Sequence, residues 1–170
     1  MSRTSNRTNK TIYQIRREEL GLSRAKAAEL TFITENRLEK LETEKTTITP
    51  EDVVAMSDAY KMPELCSHYC ACECAIGDRL NITKTERKGL AKIVLEVLTT
   101  LNLLDQEKNR LIEIAADETI SKEELPDFVR IQKQLECISE TVDSLKLWIS
   151  SAISDGSINS DEFASVQKQK

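Results

Sequence analysis

Leu22-Ser23-Arg24-Ala25-Lys26-Ala27-Ala28-Glu29-Leu30-Thr31-Phe32-Ile33-Thr34-Glu35-Asn36-Arg37-Leu38-Glu39-Lys40-Leu41-Glu42 is the stretch that decides the fold. It reads as two short helices, 23–30 and 34–43, opened by Leu22-Ser23 and by Ile33-Thr34. Hydroxyl residues at such starts accept hydrogen bonds from the orphan N–H groups of a first helical turn. Ala28 is small enough to let the two helices cross closely. Leu38 and Leu41, spaced i and i+3, share one face and point inward, which leaves Glu35, Asn36, Arg37, Glu39 and Lys40 outward.

The flanks extend the pattern. Ile12–Leu20 followed by Gly21 reads as a helix over 11–20 with a glycine C-cap. Thr49-Pro50-Glu51-Asp52 supplies an N-cap, a proline at the first helical position and acids in the first turn, opening a helix over 50–60. Pro63 is expected to end that helix, with a last turn near 63–69. In this order the elements resemble the lambda-repressor/Cro-like (XRE) helix-turn-helix family, over about 55 of the 170 residues. The matching positions are Leu22-Ser23, Ala28, Ile33-Thr34, Leu38, Leu41, Glu42 and Thr49-Pro50.

The resemblance implies a five-helix DNA-binding domain whose third helix enters the major groove, its N-terminal residues meeting base edges. Carried over by position, Thr34, Asn36, Arg37 and Lys40 become groove and flank contacts. Asn36 suits adenine and Arg37 suits guanine. Arg24 stands where the family often has glutamine and would reach a phosphate or a base. Lys45 and Thr46, after the third helix, suit phosphate contact. Two features depart from the family. Thr31-Phe32 occupies a turn that usually holds glycine, where a bulky residue at positive φ costs ~1 kcal/mol, so the turn is expected to be remodelled. Glu35 and Glu39 on the recognition face subtract from phosphate attraction. The competing expectation is the same fold used as a protein-interaction module, an antitoxin or adaptor.

Composition bounds the remainder. Four glycines and three prolines in 170 residues are too few for the hairpins and bulges of sheet proteins, so the chain is expected to be all-α. No two glycines lie within ten residues of each other, which excludes a glycine-rich phosphate loop. A single histidine, His68, removes most general-base, triad and multi-histidine metal chemistry, so an enzyme is not expected. No apolar run reaches the length of a membrane span. Met1–Arg7 has no apolar run behind it, so a secretory signal is not expected, and five cysteines then fit a reducing cytoplasm. The net charge of −5 is uneven: residues 1–17 carry five cations and no acid, whereas 66–170 hold 13 basic and 18 acidic residues. Such a basic tip suits either an arm along the DNA backbone or an ordinary solubilising terminus.

Two long helices dominate the second half. Leu90, Val94, Val97, Leu101 and Leu104, continued by Leu111 and Ala115, form one heptad seam. Phe128, Ile131, Leu135, Ile138, Val142, Leu145, Ile149 and Ala152 form the other. Thr83-Lys84-Thr85-Glu86 and Ser121-Lys122-Glu123-Glu124 read as the capping boxes that open them. Each helix is then about 32–34 residues, roughly 50 Å, in an antiparallel hairpin with its joint near Glu118–Ser121. Off-seam Ile93, Leu98, Leu103, Ile112, Ile114, Val129, Leu147 and Trp148 widen each stripe beyond what one partner helix covers. A second copy is therefore expected, giving a four-helix bundle in a homodimer through residues 81–154. The alternative is that the N-terminal domain folds back over that face.

Cys66, Cys70, Cys72 and Cys74 surround His68 between the two parts. On a continuous helix Cys66, Cys70 and Cys74 would share a face. They read as buried packing residues, as a metal or iron–sulfur site, or as a redox-sensing cluster; Cys137 reads as core. The order Leu65-Cys66…Tyr69-Cys70…Cys74-Ala75-Ile76-Gly77 before a helical hairpin is similar to uncharacterised bacterial regulators of this class. Asp155-Gly156…Glu162 echoes the end of a calcium loop, but Ile153 stands at a ligand position and cannot bind calcium. A weaker echo begins at Asp117.

The sequence therefore divides into a basic arm (1–9), a helix-turn-helix domain (10–65), a cysteine-rich connector (66–80), a dimerisation hairpin (81–154), and a short C-terminal helix and tail (155–170). The expected function is sequence-specific transcriptional regulation in the cytoplasm by a dimer on double-stranded DNA. A thiol- or metal-responsive switch is the further alternative. No cofactor and no membrane are expected, and a small-molecule or metal effector is left open.

Overall fold

The computed structural model describes residues 10–116 and 118–168, and all their regular structure is helical. The basic arm at 1–9 and the echo at Asp117 lie outside the described residues. Two compact units result: the chain up to Lys84 together with Ser150 onward, and Thr85–Ile149.

The first unit contains α1 (Ile12–Glu19), α2 (Arg24–Thr31), α3 (Glu35–Glu42), α4 (Pro50–Ala59), α5 (Glu64–Cys72) and α6 (Ala75–Arg79). The first four of these helices start where hydroxyl side chains stand. Gln14, Lys26 and Arg37 donate backbone N–H groups to Thr11, Ser23 and Thr34 at 3.2, 3.1 and 3.3 Å. Thr49 and Asp52 form a reciprocal capping box. Gly21 ends α1 at φ +66°, a conformation that costs glycine nothing. The core is Tyr13, Ala27, Ile33, Leu38, Leu41, Val53, Met56, Tyr60 and Leu65. Ala27, not Ala28, is the alanine of α2 that enters the core: it is wholly buried, and Ala28 only partly.

Several local expectations are corrected. The turn at Phe32 is not remodelled; Phe32 itself adopts the left-handed conformation (φ 56°, ψ 18°) as the C-cap of α2. α4 stops at Ala59 with Lys61 at φ 50°, and Pro63 instead N-caps α5. Gly77 lies inside α6, where a Cβ would stand 1.7 Å from the Cys70 carbonyl oxygen, so only glycine lets α5 and α6 approach this closely.

The second unit holds α7 (Leu90–Ala115) and most of α8 (Leu125–Ser154). Residues 83–89 are not helical, and Gly89, extended at φ −70° and ψ 146°, is the N-cap. An interior glycine costs up to ~1 kcal/mol relative to alanine, and starting after it avoids that cost. α7 is therefore 26 residues and α8 30, shorter than their periodicity suggested. The Ser121–Glu124 box is present: the Ser121 N–H donates to Glu124 Oε2 at 3.0 Å and the Glu124 N–H to Ser121 Oγ at 3.3 Å.

Cross-helix ion pairs define an antiparallel hairpin. Arg110 meets Asp127 at 2.8 Å and Arg130 meets Glu107 at 2.8 Å, one later residue on α7 matching one earlier on α8. The apolar seams split into two rows. Val97, Leu104, Leu111, Ile138 and Leu145 are half-buried with Ile131 buried, whereas Val94, Leu101, Leu135 and Val142 are exposed. Cys137 is exposed rather than core, because the helical rotation places it outside both rows. Beyond α8, Gly156 turns the chain at φ +82°, and Asn159 caps α9 (Ser160–Gln167) by accepting from Asp161 and Glu162.

Candidate nucleic-acid interface

α3 is held by its inward residues. Leu38 and Leu41 sit in the core, and Glu42, one position on, is 3% exposed. Burying that carboxylate requires cations, and two supply them. Arg17 of α1, itself 4% exposed, donates Nε and Nη2 to Glu42, and Arg24 of α2 donates Nε to Glu42 Oε2 at 2.8 Å. Arg17 also reaches the Leu22 carbonyl. A buried carboxylate thus ties α1, α2 and α3 together, which position-by-position reading of an outward face did not find. The signal was there: Glu42 follows Leu38 by four residues, on the buried side.

Arg37, read from the sequence as a guanine contact, is engaged by an acid of α4. Its guanidinium is bidentate to Asp52, with Nε 2.9 Å from Oδ1, and Asp52 also accepts from the Thr49 N–H and hydroxyl, both at 3.0 Å. Arg37 therefore ties α3 to the capping box of α4. The Arg37 hydrogen bonds hold the Asp52 carboxyl below its ordinary 3.8, against a smaller opposing effect of burial. A depressed carboxyl contributes stability that is present above its unfolded value and lost as pH falls through the folded one. The stability difference between the wild type and Asp52→Asn is accordingly expected to be largest near neutrality. It should shrink below about pH 4, as urea melts across that range will show.

The outward face of α3 is left with Glu35, Asn36, Glu39 and Lys40, all exposed, while Thr34 spends its hydroxyl capping the helix. Ion pairing sorts the cations of this domain. Lys10, Arg16, Arg17, Arg24, Lys26 and Arg37 each pair with an acid. Among the described residues to 65, Lys40, Lys45 and Lys61 have no ion pair. Lys40 and Lys45 lie at the end of α3 and on the loop after it, with Thr46 half-buried beside them.

Behind that loop lies a cleft of about 620 Å³ bounded by Lys45, Thr46, Tyr13, His68, Tyr69 and Glu73. Tyr13 donates its hydroxyl to Glu73 at 2.8 Å, and burial followed by that bond pushes the tyrosine well above its ordinary value. His68 Nε2 stands 3.6 Å from Glu73, and its Nδ1 is buried without a partner.

The cysteines do not assemble as the helical spacing suggested. α5 ends at Cys72 and Cys74 begins α6 in extended conformation, so Cys66, Cys70 and Cys74 share no continuous helical face. Among the described residues, no three His, Cys, Asp or Glu side chains gather as a metal ion requires. Burial, then the neighbouring Cys74 and Cys66, push the Cys70 thiol up, away from a reactive thiolate.

Residues 12–64 match the family model described as helix-turn-helix, from the first residue of α1 to the first of α5. The matched segment, under a third of the chain, is thus a helix-turn-helix domain of the XRE, lambda-repressor-like type, a type of DNA-binding regulatory domain. Neither the comparison with curated proteins nor that with solved structures gave a match. No helix among the described residues is long and apolar enough to cross a membrane.

Proposed function

We propose that the chain is a cytoplasmic, dimeric transcriptional regulator that reads a specific duplex through α3. The observation that carries this reading is the pairing of an exposed α3 face with Lys40 and Lys45, which no acid neutralises. Six other described cations of this domain are paired and Lys61 lies past the end of α4, so along α3 and the loop after it these two are left for phosphates. Asn36 is the base-edge candidate, Lys40 a phosphate contact on the flank of the groove, and Lys45 and Thr46 further phosphate contacts. Thr34 acts through the helix start. Arg24, whose Nε is held by Glu42, presents its terminal nitrogens to the backbone. Arg37 holds α3 at its working angle rather than reading a base.

The exposed row of the hairpin supports the dimer. Val94, Leu101, Leu135 and Val142 continue heptads whose other row is already covered, which is how a four-helix bundle divides its seams. A second copy covering that row would set the spacing of two DNA-binding domains. In this reading residues 1–9 are an arm, 10–65 bind the duplex, 66–80 connect, 81–154 dimerise and 155–170 end the chain.

The test is duplex binding by the full chain at two salt concentrations. Affinity should fall with salt at about 0.9 logarithmic units per phosphate neutralised. Lys40→Ala and Lys45→Ala should each lower the slope by about 1 per bound domain, and Asn36→Ala should weaken specific binding by ~1–3 kcal/mol. A flat salt response sinks the DNA reading and leaves the acidic Glu35 and Glu39 face to a protein partner.

A further inference from the structure

Phe32 combines two costs that nothing inside the domain offsets. Its backbone is left-handed at φ 56°, where a Cβ is crowded, and its ring is 94% exposed to water. The chain uses left-handed residues at other helix ends, but Glu44, Lys61, Asn81 and Glu118 are polar and at home in solvent. Among the described residues Phe32 alone places a large apolar side chain in that conformation. Glycine would relieve both costs at once. A lone exposed apolar residue is ordinary, but backbone strain kept at a residue that gains no burial from it points to a contact made there.

The position says which contact. Phe32 is the C-cap of α2, next to buried Ile33 and two residues before Thr34, the N-cap of α3. It therefore stands beside the N-terminal end of α3, the end that enters the groove in the DNA-binding reading, four residues before exposed Asn36. We propose that Phe32 is a specificity-determining contact that lays its ring against the C5-methyl group of a thymine at the edge of the major groove. Thymine methyls are the apolar feature of that groove, and aromatic side chains pack on them. This rests on the DNA-binding reading above.

The experiment starts from duplexes selected by the full chain out of a randomised pool. Phe32→Gly should raise Tm by ~2–4 °C, since the strain is released, yet bind the selected duplex roughly 5–30-fold more weakly. Phe32→Ala should lose the same affinity. Replacing each thymine in turn by uracil, which lacks the methyl, should weaken the wild type at one position per half-site and leave Phe32→Ala unaffected there. Unchanged affinity in both variants, with Asn36→Ala still weakening binding, overturns the proposal and turns the ring toward another protein. Weaker binding with no uracil-sensitive position overturns the methyl contact in favour of the sugar. If the wild type selects no duplex, the DNA reading fails first and this contact with it.

Discussion

Glu42→Ala lowers the unfolding free energy of the full chain by ~3–5 kcal/mol, the range for breaking one side of a buried ion pair. The substitution leaves Arg17, 4% exposed, without its counter-charge and strips Arg24 of its anchor. The loss is large because the remaining guanidinium can neither reach water nor find another acid of the same burial; Glu18, 3.8 Å away, is only a secondary partner. Glu42→Gln keeps an acceptor and should lose less. Urea unfolding measures both. A change under ~1 kcal/mol for the alanine variant would mean that water reaches Arg17 and that the network is not closed.

If the proposed dimer forms through the exposed hairpin row, Leu101→Glu combined with Leu135→Glu is expected to convert it to a monomer. These side chains are 48% and 44% exposed in the single chain, so carboxylates there are tolerated by the hairpin itself. Across a two-fold axis each copy would contribute both, bringing like charges into an apolar seam. Desolvating even part of them costs several kcal/mol, so the dissociation constant should rise at least ~100-fold. Sedimentation velocity at micromolar concentration reads the mass, and circular dichroism should show helicity retained. A wild type that sediments as a monomer would remove the dimer altogether.

Much of this molecule is legible locally. Ser23, Thr34 and Thr49 cap the helices they precede, because a hydroxyl one residue before an apolar-periodic run has a single nearby use, whereas Thr11, read as the first residue of its helix, is also a cap. Leu38 and Leu41 follow from their i and i+3 spacing, which puts both on one buried face. The start of α7 was not legible, since the Thr83–Glu86 box and Gly89 are competing starts separated by less than two turns. Cys137 was misread because its neighbours in the heptad are apolar, and a small residue one step off the seam looks alike from either side.

By itself, then, the sequence determined an all-helical chain, the helix-turn-helix domain and the antiparallel pair of long helices, all of which rest on interactions reaching only a few residues. Tertiary structure alone decided what the charged residues do. Arg24 and Arg37 look the same as Lys40 and Lys45 along the chain, yet Glu42 and Asp52, 18 and 15 residues away, claim the first two and leave the lysines free. Ion pairing depends on distance in space, falling off within ~10 Å, and the spacing of residues along a helix does not encode which distant acid will arrive there.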